Sequence, residues 1–133
     1  MSAVLDAGVV VAALVGTGAE GAWADRQMEA ESLAAPHLMP VEVANVLRKA
    51  VSAASVPADV ARSAHRELVA LPVELFAYEA LAERVWALRE NLTTYDGWYV
   101  ALAESLDAPL VTLDRRLARA PGPRCEFRTP DEP

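Results

Sequence analysis

Four acidic residues, Asp6, Glu42, Asp96 and Asp114, each stand where a short apolar run ends or a helix begins. Asp6 closes Ala3-Val4-Leu5 and Asp114 closes the run from Leu110 to Leu113, while Glu42 and Asp96 fall in the first turns of helices expected after Pro40 and Thr94. Taken singly, each acid has a structural use, because carboxylates cap helix N-termini and interact favourably with the dipole there. Asp6 resists that account, since a lone acid after a buried strand needs a cap, an ion partner or a metal to offset its desolvation. Gathered within a few ångströms, such carboxylates would repel by up to about 4 kcal/mol per pair at ~4 Å and an effective dielectric near ~20, so an uncompensated cluster would not stay ionised and compact. A hard cation resolves the conflict: oxygen-only carboxylate sites suit Mg²⁺ or Mn²⁺, which keep several waters for substrate phosphates to replace.

Other chemistries find little support. His37 and His65 are isolated, so the His/Cys grouping that zinc prefers is missing, and His65 is expected on a helix surface. There is no glycine-rich phosphate loop and no Gly-x-Ser-x-Gly elbow, and Cys125 has no histidine near it in sequence and reads as a small buried hydrophobe. A phosphatase built around Asp6 would want a second acid at position 8, which is Gly8, and a phosphotransfer receiver would want a lysine near the last strand, whereas the sole lysine is Lys49. Trp23, Trp86 and Trp98 lie in amphipathic stretches and are expected in the core or at a dimer interface rather than as base-stacking platforms.

The net charge of −7 argues against a general nucleic-acid coat, because non-specific binding scales with the number of phosphates neutralised. Charge is unevenly placed, however: Arg115, Arg116, Arg119, Arg124 and Arg128 fall in one late stretch whose only acid is Glu126. Two readings stay open for these arginines, a solvated helix end and a phosphate-facing edge. With 133 residues the chain is long enough for one self-sufficient core, expected over residues 1–128 as a single domain, with 129–133 a frayed tail. One cysteine cannot form an internal disulfide and the opening residues lack a basic n-region, so a cytoplasmic protein is expected. The apolar stretch Val9 to Val15 is far short of the roughly 20 residues that span a bilayer, so no membrane contact is expected.

The elements that must position the acids follow from periodicity and punctuation. Val4-Leu5 reads as a short buried strand leading into a helix from Val9 to Val15, which Gly16-Thr17-Gly18 ends. A polar helix over 20–33, a strand from Ala34 to Leu38 and a helix over 40–53 follow, the last opened by Pro40. Within it Val43, Val46, Leu47 and Ala50 form the apolar stripe, and Glu42 and Asn45, three apart, share another edge. Pro57 opens a helix to about Val69, Val73 to Phe76 form a strand, and 78–90 a helix with Leu81, Val85 and Leu88 inward. Thr93 or Thr94 caps a helix over 95–106, Leu110 to Leu113 form a strand, a short helix runs from Arg115 to about Ala120, and an edge strand is expected over Cys125 to Phe127. Strands alternating with helices predict an α/β fold with a parallel sheet covered on both faces. Ligands of such sheets bind beyond the carboxyl ends of the strands, where Asp6 and Asp114 stand.

Four blocks, Val-Leu-Asp-Ala at 4–7, Pro40-Val-Glu-Val-Ala-Asn-Val-Leu47, Thr94-Tyr-Asp-Gly-Trp-Tyr-Val-Ala-Leu-Ala103 and Leu110-Val-Thr-Leu-Asp-Arg-Arg-Leu117, occur in an order that resembles the PIN-domain ribonucleases, and among them the VapC-type toxins of toxin-antitoxin pairs. The resemblance covers nearly the whole chain. It implies a PIN-like three-layer fold with a parallel sheet of about five strands, an acidic pocket binding Mg²⁺ or Mn²⁺, endonucleolytic cleavage of structured RNA with transfer RNA a common target, an antitoxin partner and a homodimer. By position it implies Asp6, Glu42, Asp96 and Asp114 as the pocket carboxylates, Asn45 and Thr112 as groups that support them, and Arg115 and Arg116 as substrate-binding cations. The chain departs from the pattern at Gly8, where many members carry Ser or Thr; the missing hydroxyl leaves a catalytically weak or inactive module that binds an antitoxin-like protein as one alternative, and a Mg²⁺-dependent phosphohydrolase stands as a separate one.

Overall fold

A computed structural model describes residues 2–131. The elements in chain order are β1 (Ser2–Leu5), α1 (Ala7–Val15), α2 (Gly18–Gln27), β2 (Ser32–Pro36), α3 (Met39–Ser52), α4 (Ala58–Ala70), β3 (Val73–Phe76), a 3₁₀ turn (Glu79–Leu81), α5 (Ala82–Ala87), α6 (Thr94–Leu106), β4 (Leu110–Val111), α7 (Arg115–Ala118) and β5 (Phe127–Arg128). All five strands are parallel, in the order β3-β2-β1-β4-β5. The chain therefore builds outward from β1 to β3, then crosses back to lay β4 on the other side of β1. That reversal between β1 and β4 is the switch point at which open α/β sheets bind ligands. Parallel strands need crossovers, and the right-handed hand of such crossovers puts α1, α3 and α4 on one face and α5 and α6 on the other.

The buried parts of the central strands are apolar because both faces are covered: Val4, Leu5, Leu110 and Val111 are fully buried. Helix α1 is apolar all round for the same reason, with Val9 and Val10 in the core. It ends where Gly16 donates its N–H to the Ala12 carbonyl; a Cβ on Gly16 would collide with that carbonyl, and one on Gly21 would lie 2.7 Å from the Gly16 backbone. The two glycines let α2 fold back on α1 at close range. No single described helix is long and apolar enough to cross a membrane.

Boundaries differ from the sequence expectation in instructive places. The second helix stops at Gln27 and the second strand starts at Ser32, because Leu33 and Ala34 pair with Ala3 and Val4 and that ladder overrides the helix propensity of Leu and Ala. Expected helix 78–90 resolves into the 3₁₀ turn and the short α5. The last strand is Phe127–Arg128 rather than Cys125–Phe127, its register set against Leu110 and Val111. Trp86 is 64% exposed rather than packed in the core, with the Arg89 guanidinium 4.8 Å from its ring centroid, while Trp23 and Trp98 are half-buried. Of the stretch expected to fray, Thr129 and Pro130 are half-buried, and positions 132 and 133 lie outside the described residues.

Candidate active site

Asp6 follows β1 and stands at the N-cap of α1, yet its side chain makes no capping hydrogen bond to that helix. Its carboxylate instead accepts a 2.6 Å hydrogen bond from the Thr112 hydroxyl, which sits just past β4 on the neighbouring strand. The same hydroxyl oxygen accepts from the Asp114 N–H at 3.0 Å, so one fully buried side chain ties the acids at the ends of β1 and β4 together. Asp114 does cap a helix, its Oδ1 accepting from the N–H groups of Arg116 and Leu117 at 3.0 and 3.1 Å. That duty occupies one oxygen.

The other two acids arrive on helix first turns, where aligned N–H groups favour negative charge. Thr93 caps α6 by accepting from the Asp96 N–H at 3.1 Å, which fixes the turn that carries Asp96. Glu42, in the first turn of α3, accepts a 2.8 Å hydrogen bond from the Tyr99 hydroxyl on α6. Asp96, Asp114 and Arg116 line a cleft of about 430 Å³ whose rim includes Asn91 and Thr93.

Electrostatics link all four acids. Burial raises the Asp6 carboxyl above its ordinary value and the charges of Glu42 and Asp114 push the same way, against the Thr112 hydroxyl and the Ala7 N–H. Burial likewise raises Asp96, reinforced by Asp6 and Asp114. Among the described residues no Lys, Arg or His forms an ion pair with any of the four, and their named donors are hydroxyls and backbone N–H groups. Neither do three or more His, Cys, Asp or Glu side chains among the described residues stand as a ready-made metal cage. The donor set is thus oxygen-only, anionic and open, which matches the chemistry of an ion that takes one or two carboxylates and keeps its waters better than that of one enclosed by protein.

The remaining candidates separate. Asn45 is exposed and its Oδ1 accepts from Arg48 Nε at 3.0 Å, one turn along the same helix. Arg115 is half-buried and donates to the Pro130 carbonyl at 2.7 Å, so it holds the C-terminal stretch, and Arg116 is the arginine in the cleft. His37 and His65 are both exposed, His65 on α4. Tyr99 is the residue that sequence reasoning passes over; its only signal is a position three after Asp96, on the same side of α6.

Residues 3–123 match the family model of the PIN domain. The chain is 45% identical over 127 residues to Ribonuclease VapC1 of Mycobacterium tuberculosis, covering 94% of this chain and 95% of the relative. Its fold resembles PAE2754 from Pyrobaculum aerophilum, with a TM-score of 0.72 and 26% identity over 96% of this chain and 83% of that one. It also resembles a chain in a structure of VapBC2 from Rickettsia felis bound to a DNA fragment from their promoter, with a TM-score of 0.66 and 15% identity over 97% of this chain and 98% of that one.

Proposed function

The chain belongs to the PIN-domain family, where its relatives are ribonucleases, and from that premise we propose that it is a divalent-cation-dependent endoribonuclease toxin, cleaving structured RNA such as transfer RNA and neutralised by a cognate antitoxin. The observation that carries the reading is that the Thr112 hydroxyl ties Asp6 to the start of α7 at the sheet's switch point, beside a cleft that Asp96 and Asp114 line, with no basic partner for these acids among the described residues. Support for a protein partner comes from the likeness to the VapBC2 assembly. The same reading includes pairing with a second copy of the chain, for which α3 and α4 offer exposed apolar side chains such as Val41, Val46 and Val69.

The four acids would hold Mg²⁺ or Mn²⁺. When bound, the ion neutralises the carboxylates, polarises a phosphate oxygen and lowers the pKa of a water. This chain's residues do the rest. Thr112 holds Asp6 and, through the Asp114 N–H, the start of α7, so the two strand-end acids keep one spacing. Capping engages Asp114 Oδ1 and makes no use of Oδ2. Arg116 supplies the cleft with a cation for the phosphate that enters it, in a chain whose net charge is −7. In hydrolysis the water oxygen bonds to phosphorus, the bond from phosphorus to the 3′ oxygen breaks, and the proton leaves to a carboxylate or solvent, which yields a 3′-hydroxyl and a 5′-phosphate.

The test is incubation of the purified chain with total cellular RNA and Mg²⁺ or Mn²⁺, beside Asp96→Asn and a chelator. Discrete products confined to the wild type with metal are the expected result. Equal products with chelator, or from Asp96→Asn, would remove the acids from the chemistry.

A further inference from the structure

We propose that Tyr99 is a positioning residue of the acidic site: its phenol holds Glu42 in the one orientation in which that carboxylate meets the divalent cation. The inference rests on the reading of the site as a cation-dependent nuclease centre. Tyr99 is only 2% exposed, so its ring has a single place in the core and its hydroxyl a fixed position at the edge of the cluster. That hydroxyl donates to Glu42 Oε1 at 2.8 Å, joining α6 to the first turn of α3 across 57 residues of sequence. One helix thereby delivers an acid, Asp96, and the group that orients another acid, three residues later.

The chemistry explains why a buried phenol suits this role. Glu42 is half-buried on a helix first turn, and an untethered glutamate there has several rotamers to lose when it closes on a ligand. A rigid donor selects one rotamer in advance. It engages one carboxylate oxygen and leaves the other for the ion, as hydrogen bonds to ligating carboxylates generally do. The donor is neutral, so it orients the acid without supplying the positive charge that the cation would otherwise bring. Phenylalanine would fill the same space without the oxygen, and Tyr99→Phe therefore isolates the hydroxyl.

The experiment measures Mn²⁺ binding to the RNA-free protein by calorimetry for wild type, Tyr99→Phe, Glu42→Gln and the double variant, with urea midpoints for each. Tyr99→Phe is expected to weaken Mn²⁺ by about 10- to 100-fold, and the double variant to bind no worse than Glu42→Gln alone. A hydroxyl with a structural role only would lower the urea midpoint and leave Mn²⁺ affinity as in the wild type, which would overturn the assignment. If the wild type takes up no Mn²⁺, the cation reading fails and the role of Tyr99 falls with it. A second measurement covers poor folding of Tyr99→Phe: with 3-fluorotyrosine incorporated, the Tyr99 ¹⁹F resonance is expected to shift on addition of Mg²⁺ in the wild type and not in Glu42→Gln. No shift in either would overturn the proposal.

Discussion

Thr112→Val replaces one hydroxyl, fully buried in the structure, with a methyl of similar shape, and both of the bonds it severs belong to the site. The 2.6 Å bond to Asp6 is made to a carboxylate already pushed toward protonation by burial and by Glu42 and Asp114. A hydrogen bond to a charged group contributes about 1.5–3 kcal/mol, and leaving the part-covered Asp114 N–H unpaired adds about 1 kcal/mol, so the variant should lose about 3 kcal/mol near neutral pH. With a urea slope of about 1.5 kcal/mol per molar for a domain of this size, the midpoint should fall by about 2 M. The assay is urea unfolding of metal-free protein followed by far-UV circular dichroism, with Thr112→Ser as control, since serine keeps the oxygen. The loss should shrink in acid, where Asp6 is protonated and its need for a donor is smaller. A midpoint within about 0.5 M of wild type, or an equal loss in Thr112→Ser, would refute the claim that this hydroxyl holds the two strand ends together.

Asp6 and Asp96 are raised in the folded chain, by burial first and neighbouring acids second, so the folded state binds more protons than the unfolded one above about pH 4 and stability falls as pH rises through that window; urea midpoints of metal-free protein should drop from about pH 5 to about pH 7.5, less so in Asp6→Asn, and an equal or rising trend in both would contradict it. Arg84 on α5 makes a two-pronged bond to Glu104 on α6, at 2.6 and 3.0 Å, and also donates to the Gly122 carbonyl, so Arg84→Met should cost about 1–2 kcal/mol and Arg84→Lys recover less than half of it in urea unfolding. Gly8 stands in the first turn of α1 with open space where a Cβ would go, so Gly8→Ala should raise stability by up to about 1 kcal/mol, and a lowered melting temperature would show that the backbone there needs glycine.

How much of this was legible in the sequence depends on whether the cause was local. The strand and helix that flank Asp6 follow from an apolar run and two glycines, and the cap that sets Asp96 is a threonine three residues before it, so both positions can be read from neighbours. The end of α2 cannot, because what stops it is the pairing of Leu33 and Ala34 with β1. The same distinction divides the arginines. Arg115 and Arg116 look alike in sequence, but the phase of α7 from its cap at Asp114 puts Arg116 in the cleft, while Arg115 meets Pro130 on a returning segment. Asn45 shares a helix edge with Glu42, yet Arg48 one turn on takes its amide oxygen. Tyr99 was illegible for the plainest reason: its hydroxyl is informative only through a partner on another helix, and on its own it reads as one more core aromatic.

The central claim is that the four acids cleave RNA by directing water at a phosphate in the presence of a divalent cation, and the end groups of the product test it most directly. Cleavage by water leaves a 5′-phosphate and a 3′-hydroxyl, which a polymerase can extend and a phosphate-dependent exonuclease can degrade. A 2′,3′-cyclic phosphate with a 5′-hydroxyl, formed equally well in chelator, would mean that the ribose hydroxyl is the nucleophile and that Asp6, Glu42, Asp96 and Asp114 serve some other purpose.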